Sequence, residues 1–257
     1  MKLTPQRLHA ELPIYRKIIQ SELQRELKTA ISRIKHMYSK EIENQKKRLK
    51  LTKRQKEILV GKILGDGHLE TQDNGKTYRL KVEHSIKQKV YVDWLYNEFK
   101  EWVRTFPQSR KREVKLRTVS GEYEKYWFNT LSSGSLRFYA KEFYRDGKKI
   151  VPELIHRWLS PLAIAVWYMD DGSIKSRFHK TVLLNTHSFS KISLKRLQKV
   201  LLDRYGVKTT LRKQREGIQI YIISETIDKF LNIIEPHILP SMRYKLPEVW
   251  LTQLPKK

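Results

Sequence analysis

Over the first fifty positions apolar residues recur at three- and four-residue steps, at Ile19, Leu23, Leu27, Ile31, Ile34 and Tyr38. This is the period of an amphipathic helix. Thr4 before Pro5 makes a helix start and Pro13 allows another, since proline fits the first turn of a helix better than its interior. The expectation is a helical extension over residues 1–51, packed on the body of the protein, with an independent arm as the alternative. From Thr52 the stripe widens. Thr52 with Gln55 three residues later reads as a capping box, and the mostly apolar Ile58-Leu59-Val60-Gly61-Lys62-Ile63-Leu64 stops at Gly65-Asp66-Gly67. A second helix of the same kind begins at Ser160-Pro161, an N-cap with a first-turn proline. It runs through Leu162-Ala163-Ile164-Ala165-Val166-Trp167-Tyr168-Met169 to Asp170-Asp171-Gly172.

The segments downstream of the two helices also correspond. Leu80-Lys81-Val82-Glu83-His84-Ser85 and a helix from about Val90 to Val103 match Leu183-Leu184-Asn185-Thr186-His187-Ser188 and a helix from about Leu194 to Tyr205. Each copy then offers a basic hairpin. One runs from Arg110 to Val119 and turns at Ser120-Gly121 toward Tyr126-Trp127-Phe128; the other runs from Lys208 to Gln214 and turns near Glu216-Gly217 toward Ile218–Ile223. A closing helix comes next, near Leu136–Tyr144 and Ile227–Ile234, and after it a lysine ahead of a proline, in Lys149-Ile150-Val151-Pro152 and Lys245-Leu246-Pro247. A repeat of roughly one hundred residues is too long for a solenoid unit and indicates two fused copies of one fold. The fold class expected is α+β: a pseudo-symmetric duplication of an αββαββα unit, at 52–158 and 159–257, behind the N-terminal helical extension.

Charge identifies the partner. The 257 residues carry a formal net charge of +26, a field best offset by a polyanion, so nucleic acid leads. Gln45-Lys46-Lys47-Arg48-Leu49-Lys50-Leu51-Thr52-Lys53-Arg54 contains no acid and suits phosphates. Hydrophobic content is ordinary, which separates the chain from a disordered basic tail. Cysteine is absent, excluding disulfides, thiolate zinc sites and cysteine nucleophiles. No long apolar run and no signal-peptide hydrophobic region after Met1-Lys2-Leu3 occur, so a soluble, non-secreted protein without a membrane partner is expected.

An aspartate at the C-terminal end of an apolar helix opposes the helix dipole, at roughly 0.3–1 kcal/mol. Stability does not call for it, and its occurrence in both copies, each time before glycine, sets Asp66 and Asp171 apart from ordinary turn residues. Two such helices packed about a pseudo-twofold axis bring their carboxylates together, where they repel unless a cation sits between them. Carboxylate oxygens with water are the ligand set of Mg2+. A metal so held activates water and stabilises the leaving oxygen of a phosphodiester. Lys149 and Lys245, symmetrically placed, suit the nucleophilic water or the charge growing on the phosphate. On the strands, Arg79, Lys81 and Glu83 share a face, as do Lys115 and Arg117 on the next strand. The second copy offers Arg212 and Gln214, then Gln219 and Tyr221. Such residues read base edges in the major groove of double-stranded DNA.

Leu59-Val60-Gly61-Lys62-Ile63-Leu64-Gly65-Asp66-Gly67 and Ile164-Ala165-Val166-Trp167-Tyr168-Met169-Asp170-Asp171-Gly172 resemble the paired signatures of the single-chain, two-motif LAGLIDADG homing endonucleases. The Lys-x-x-Pro and Tyr-Lys-Leu-Pro segments and Asn185-Thr186-His187-Ser188-Phe189 extend the resemblance over Thr52 to Pro247. It implies a monomer whose two antiparallel sheets form a saddle in successive major grooves, with metal-dependent cleavage of both strands across the intervening minor groove. With one helical turn read by each half, the site would be asymmetric and about 20 base pairs long. The final acids of the signatures, Asp66 and Asp171, are then the metal ligands, with Mg2+ as cofactor and Mn2+ as its substitute. Asp170 becomes a neighbour at a position usually held by a small residue, and Asn185 joins the DNA-contacting set. Three departures stand out. Lys62 replaces an apolar residue, and Val166 and Asp170 stand where glycine and alanine usually let the helices approach. Slightly different helix packing with intact chemistry is expected.

Tyr168-Met169-Asp170-Asp171 also matches the Tyr-x-Asp-Asp turn of reverse transcriptases. Those acids lie on a hairpin, whereas Ser160-Pro161 begins a helix here, and that reading leaves Asp66 unexplained. The stronger alternative is a maturase that binds intron RNA and assists splicing, with the basic extension as additional RNA surface. Loss of cleavage usually removes a ligand aspartate, and this chain keeps both.

Overall fold

The computed structural model describes residues 5–116, 119–175 and 180–252, without the side chains of 5–15, 18, 36, 38, 112–116 and 119–122. The chain divides into two compact units, Met1–Arg48 and Leu49–Lys257. The first is one helix, α1 (Pro5–Arg48). It runs as one helix through Pro13, where the sequence allowed a second start. Within this unit Ile19, Leu23, Leu27, Ile31 and Ile34 are exposed. A lone helix has no second element in its own unit to cover them. The side chain of Tyr38 lies outside the described residues.

The second unit carries the duplication. Its first copy runs α2 (Lys53–Leu64), β1 (His68–Glu70), β2 (Arg79–Ser85), α3 (Lys89–Glu98), β3 (Gln108–Leu116), β4 (Val119–Asn129) and α4 (Arg137–Phe143). A small hairpin, β5 (Tyr144–Arg145) with β6 (Lys148–Lys149), and the short α5 (Ile155–Trp158) lead to the second copy. That copy runs α6 (Pro161–Asp171), β7 (Gly172–Ile174), β8 (Val182–Leu184), α7 (Lys191–Tyr205), β9 (Thr209–Lys213), β10 (Ile218–Ile222) and α8 (Ile227–Ile234). The sheets share one topology, β1-β2-β4-β3 and β7-β8-β10-β9, and are antiparallel throughout. One hairpin differs from expectation. Ser120 and Gly121 pair with Lys115 and Val114 inside the ladder, which continues to Leu116 opposite Val119. Continuous pairing along β3 and β4 outweighs the local turn preference of a Ser-Gly pair.

The local signals at the two signature helices hold. Thr52 and Gln55 form the reciprocal capping box of α2, and the Ser160 hydroxyl accepts from the Ala163 N–H at the start of α6. Both helices are buried on nearly every side, from Ile58 to Leu64 and from Leu162 to Met169, as befits central core helices. They pack against each other. A Cβ on Gly61 would lie 2.5 Å from the Ala163 carbonyl oxygen and 2.7 Å from Val166 Cβ. A Cβ on Gly65 would lie 2.5 Å from Asp170 Cβ. The bulk of Val166 and Asp170 on α6 is thus matched by glycines on α2. Among the described residues no helix is long and apolar enough to cross a membrane.

Candidate active site

Asp171 is the last residue of α6, whereas Asp66 stands one residue beyond the Gly65 cap of α2, slightly past the helix end expected for it. Helix C-termini leave carbonyls unpaired and carry partial negative charge. Each is met by one of the two lysines. Lys149 Nζ, on β6, donates to the Gly65 carbonyl at 2.7 Å. Lys245 Nζ donates to the carbonyls of Met169 at 2.6 Å and Asp170 at 2.7 Å. Burial lowers both lysine pKa values, against the opposing pull of Asp66, Asp170 and Asp171. The symmetry expected from sequence therefore extends to where the ammonium groups sit.

Asp170 is no bystander, contrary to the sequence-based expectation. Its carboxylate is fully buried and paired with the equally buried Lys62 of α2 at 2.8 Å. It also accepts from the Tyr91 hydroxyl at 2.8 Å and from the backbone N–H of Asp66 at 3.0 Å. Lys62 Nζ further donates to His84 Nε2 at 2.9 Å, and His84 Nδ1 lies 3.0 Å from Gln88 Oε1. With Nε2 accepting, the ring proton is assigned to Nδ1, where Gln88 accepts it. Burial, and then the charge of Lys62, lower the His84 pKa to about 3, so the ring is neutral. A lysine inside an apolar helix requires such a partner, because an unpaired buried charge is prohibitively costly. Two apparent departures in sequence are one interaction in space.

Donor atoms of Asp66, His84 and Asp170 all lie within 4.8 Å of one another. The hydrogen bonds nevertheless argue against that triad as a metal centre. Both Asp170 oxygens are already bonded, and His84 has one nitrogen accepting from an ammonium and the other protonated. Asp66 and Asp171 are different. The Asp66 side chain is half exposed, and its carboxylate lies 3.7 Å from Nδ1 of the neutral His84. Burial, then the charges of Asp66 and Asp170, push Asp171 up to about 8. A buried acid raised by its neighbours' charge in this way suits a divalent cation that would offset the repulsion.

The sheets contribute a polar surface beside these acids. A cleft of about 490 Å3 is lined by Asp66, Lys81, Glu83 and Lys125 among others. Arg79, Lys81 and Glu83 alternate with buried residues along β2, as expected for one face. Glu70 pairs with Arg79 at 3.0 Å and with Lys81 at 3.4 Å, while Glu83 pairs with Lys125. Lys115 lies opposite Ser120 in the ladder, but its side chain and the whole of Arg117 lie outside the described residues. In the second sheet the Arg212 guanidinium stacks 4.2 Å from the Tyr221 ring centre. Gln219 Nε2 donates to Asn185 Oδ1 at 2.6 Å, and Asn185 Nδ2 donates to the Asp171 carbonyl at 2.9 Å. Gln214 sits at the hairpin end, its N–H bonded to the Gly217 carbonyl.

This arrangement has counterparts among known proteins. Residues 56–230 match the LAGLIDADG DNA endonuclease family. The chain belongs to this family. It is 31% identical over 212 residues to the DNA endonuclease I-ChuI of Chlamydomonas applanata, covering 78% of this chain and 97% of that protein. It is 29% identical over 199 residues to the cytochrome b mRNA maturase bI2 of Debaryomyces hansenii, covering 76% and 74% of the two chains. The structure of the homing endonuclease I-WcaI bound to its DNA recognition sequence superposes with a TM-score of 0.74 and 26% identity, over 80% of this chain and 91% of that one.

The two LAGLIDADG signatures are thus equivalent in topology and unequal in detail. Sequence reasoning found their terminal acids and companion lysines but missed Lys62, Asp170, His84 and Tyr91 as a unit. A signal was present: a lysine within an apolar helical run demands a buried acid, and a doubled Asp170-Asp171 supplies one more than the repeat requires.

Proposed function

We infer that the protein is a site-specific DNA endonuclease that uses a divalent metal, Mg2+ with Mn2+ as substitute, to break both strands of a long asymmetric site. The observation that carries this reading is Asp66 and Asp171, kept at the ends of two packed LAGLIDADG helices of one chain, each helix end bearing its own lysine. Relatives named as DNA endonucleases and the net charge of +26 support it.

Asp66 and Asp171 would hold the cation, which supplies Lewis acidity and a water of lowered pKa. Lys149 and Lys245 keep N–H donors beyond those given to the helix carbonyls, suited to a water or a phosphate oxygen. Arg79, Lys81, Glu83, Lys115 and Arg117 on the first sheet, with Asn185, Arg212, Gln214, Gln219 and Tyr221 on the second, are the proposed DNA-contacting residues. A partner copy is not needed, because one chain carries both acids, and a monomer is proposed.

The test is selection of cleaved sites from a randomised DNA library with Mg2+, and then Asp66→Asn and Asp171→Asn on the recovered site. Each substitution should abolish double-strand cleavage and leave DNA affinity within about tenfold, since the charge removed is negative. Cleavage by either variant would sink the reading. The similarity to a protein named as an mRNA maturase favours intron RNA as a second ligand. Specific RNA binding and splicing assistance that survive Asp66→Asn would support that role, and failure to recover any DNA site would make it the primary one.

A further inference from the structure

We propose that Asp170 is a positioning residue for Asp66, and that the buried Lys62 holds it in that role and out of the metal's coordination. The proposal rests on the reading of Asp66 as a metal ligand. Asp66 lies past the cap of α2, so its backbone is no longer fixed by the helix; its N–H reaches instead to Asp170 Oδ2 at 3.0 Å, on the helix of the other copy. Gly65 makes this possible. A Cβ there would lie 2.5 Å from both Asp170 Cβ and Oδ2, so only glycine lets the carboxylate lie across the chain at that point.

Asp170 is also the residue that could most easily spoil the site. It adjoins Asp171 and lies near Asp66, and a free third carboxylate would compete for the cation. Lys62 prevents this by donating to Oδ1 at 2.9 Å and Oδ2 at 2.8 Å, and Tyr91 occupies Oδ1 as well. The second copy uses a different device. Asp171 is still helical, and its carbonyl is gripped by the Asn185 backbone and side-chain amides, each at 2.9 Å. The two acids are therefore fixed by unlike neighbours, and only the first depends on a carboxylate from the opposite helix.

Two double variants of the full chain separate positioning from simple packing. Lys62→Met with Asp170→Ala removes the pair and the acceptor for Asp66 N–H; Lys62→Met with Asp170→Asn removes the charges but keeps an acceptor of the same reach. Each is compared with wild type by thermal melting and by Mn2+ binding monitored through the free-ion EPR signal. The cleavage rate on a recovered site is also measured against Mn2+ concentration. The alanine pair should weaken Mn2+ binding about tenfold and lower the maximal rate by a similar factor, as loss of a residue that orients a ligand does. The asparagine pair should stay within about threefold of wild type. An alanine pair with wild-type Mn2+ binding overturns the proposal, as does an asparagine pair that loses as much as the alanine pair. If the alanine pair does not fold, the asparagine pair decides alone: retained binding supports the proposal and a tenfold loss refutes it. Asp66→Asn tests the underlying reading separately, because unchanged Mn2+ binding there removes Asp66 as a ligand whatever the double variants do.

Discussion

Burial, and after it the charges of Asp66 and Asp170, raise the Asp171 carboxyl from its ordinary 3.8 to about 8. The folded protein thus favours the protonated form. Its contribution to stability is fully present below the unfolded pKa and is lost as pH rises through the folded one. The metal-free protein should melt at a lower temperature at about pH 9 than at about pH 6, and Asp171→Asn should flatten that difference. Parallel melting profiles for variant and wild type would mean that another group sets the slope. A cation competes with the same proton, so metal binding should tighten as pH rises across this window. Lys62 poses the complementary case. Lys62→Met alone leaves Asp170 buried and unpaired and should cost about 3–5 kcal/mol of stability in denaturant unfolding, most of it recovered when Asp170→Ala is added. Equal losses in the single and double variants would show that the cost of Lys62→Met does not come from the stranded Asp170 carboxylate.

At the scale of elements, the interface of α2 and α6 depends on which helix carries the small residue at each level. Gly61→Val places atoms against the Ala163 carbonyl and Val166, where a Cβ already falls within 2.5 Å and 2.7 Å. A loss of at least about 1–3 kcal/mol is expected from calorimetry or denaturant midpoints. Gly134→Ala, with nothing within 4 Å of its Cβ, is the control and should change stability little. The capping box, the Ser160-Pro161 start and both signature helices were legible in sequence because each is written in residues a few positions apart. The turn of the β3–β4 hairpin was not, because Ser120-Gly121 carries a turn signal that the long antiparallel ladder overrides.

For the whole molecule, the net charge of +26 implies DNA binding dominated by phosphate contacts. The logarithm of affinity should fall steeply with the logarithm of salt, with a slope corresponding to roughly 6–10 phosphates. A shallow slope in titrations at several salt concentrations would remove charge as the source of affinity. Because Leu49–Lys257 forms a compact unit of its own, a protein shortened to it should unfold cooperatively near the melting temperature of the full chain. The duplicated αββαββα order, the two apolar helices, and the paired acids and lysines were readable from the chain alone, because periodicity and repetition are local properties. The pairing of Lys62 with Asp170, 108 positions apart, and the grip of Asp170 on the Asp66 N–H emerged with the packed fold. The physical reason is that a buried charge announces that it needs a partner, while the choice among distant acids is made by how the two helices pack.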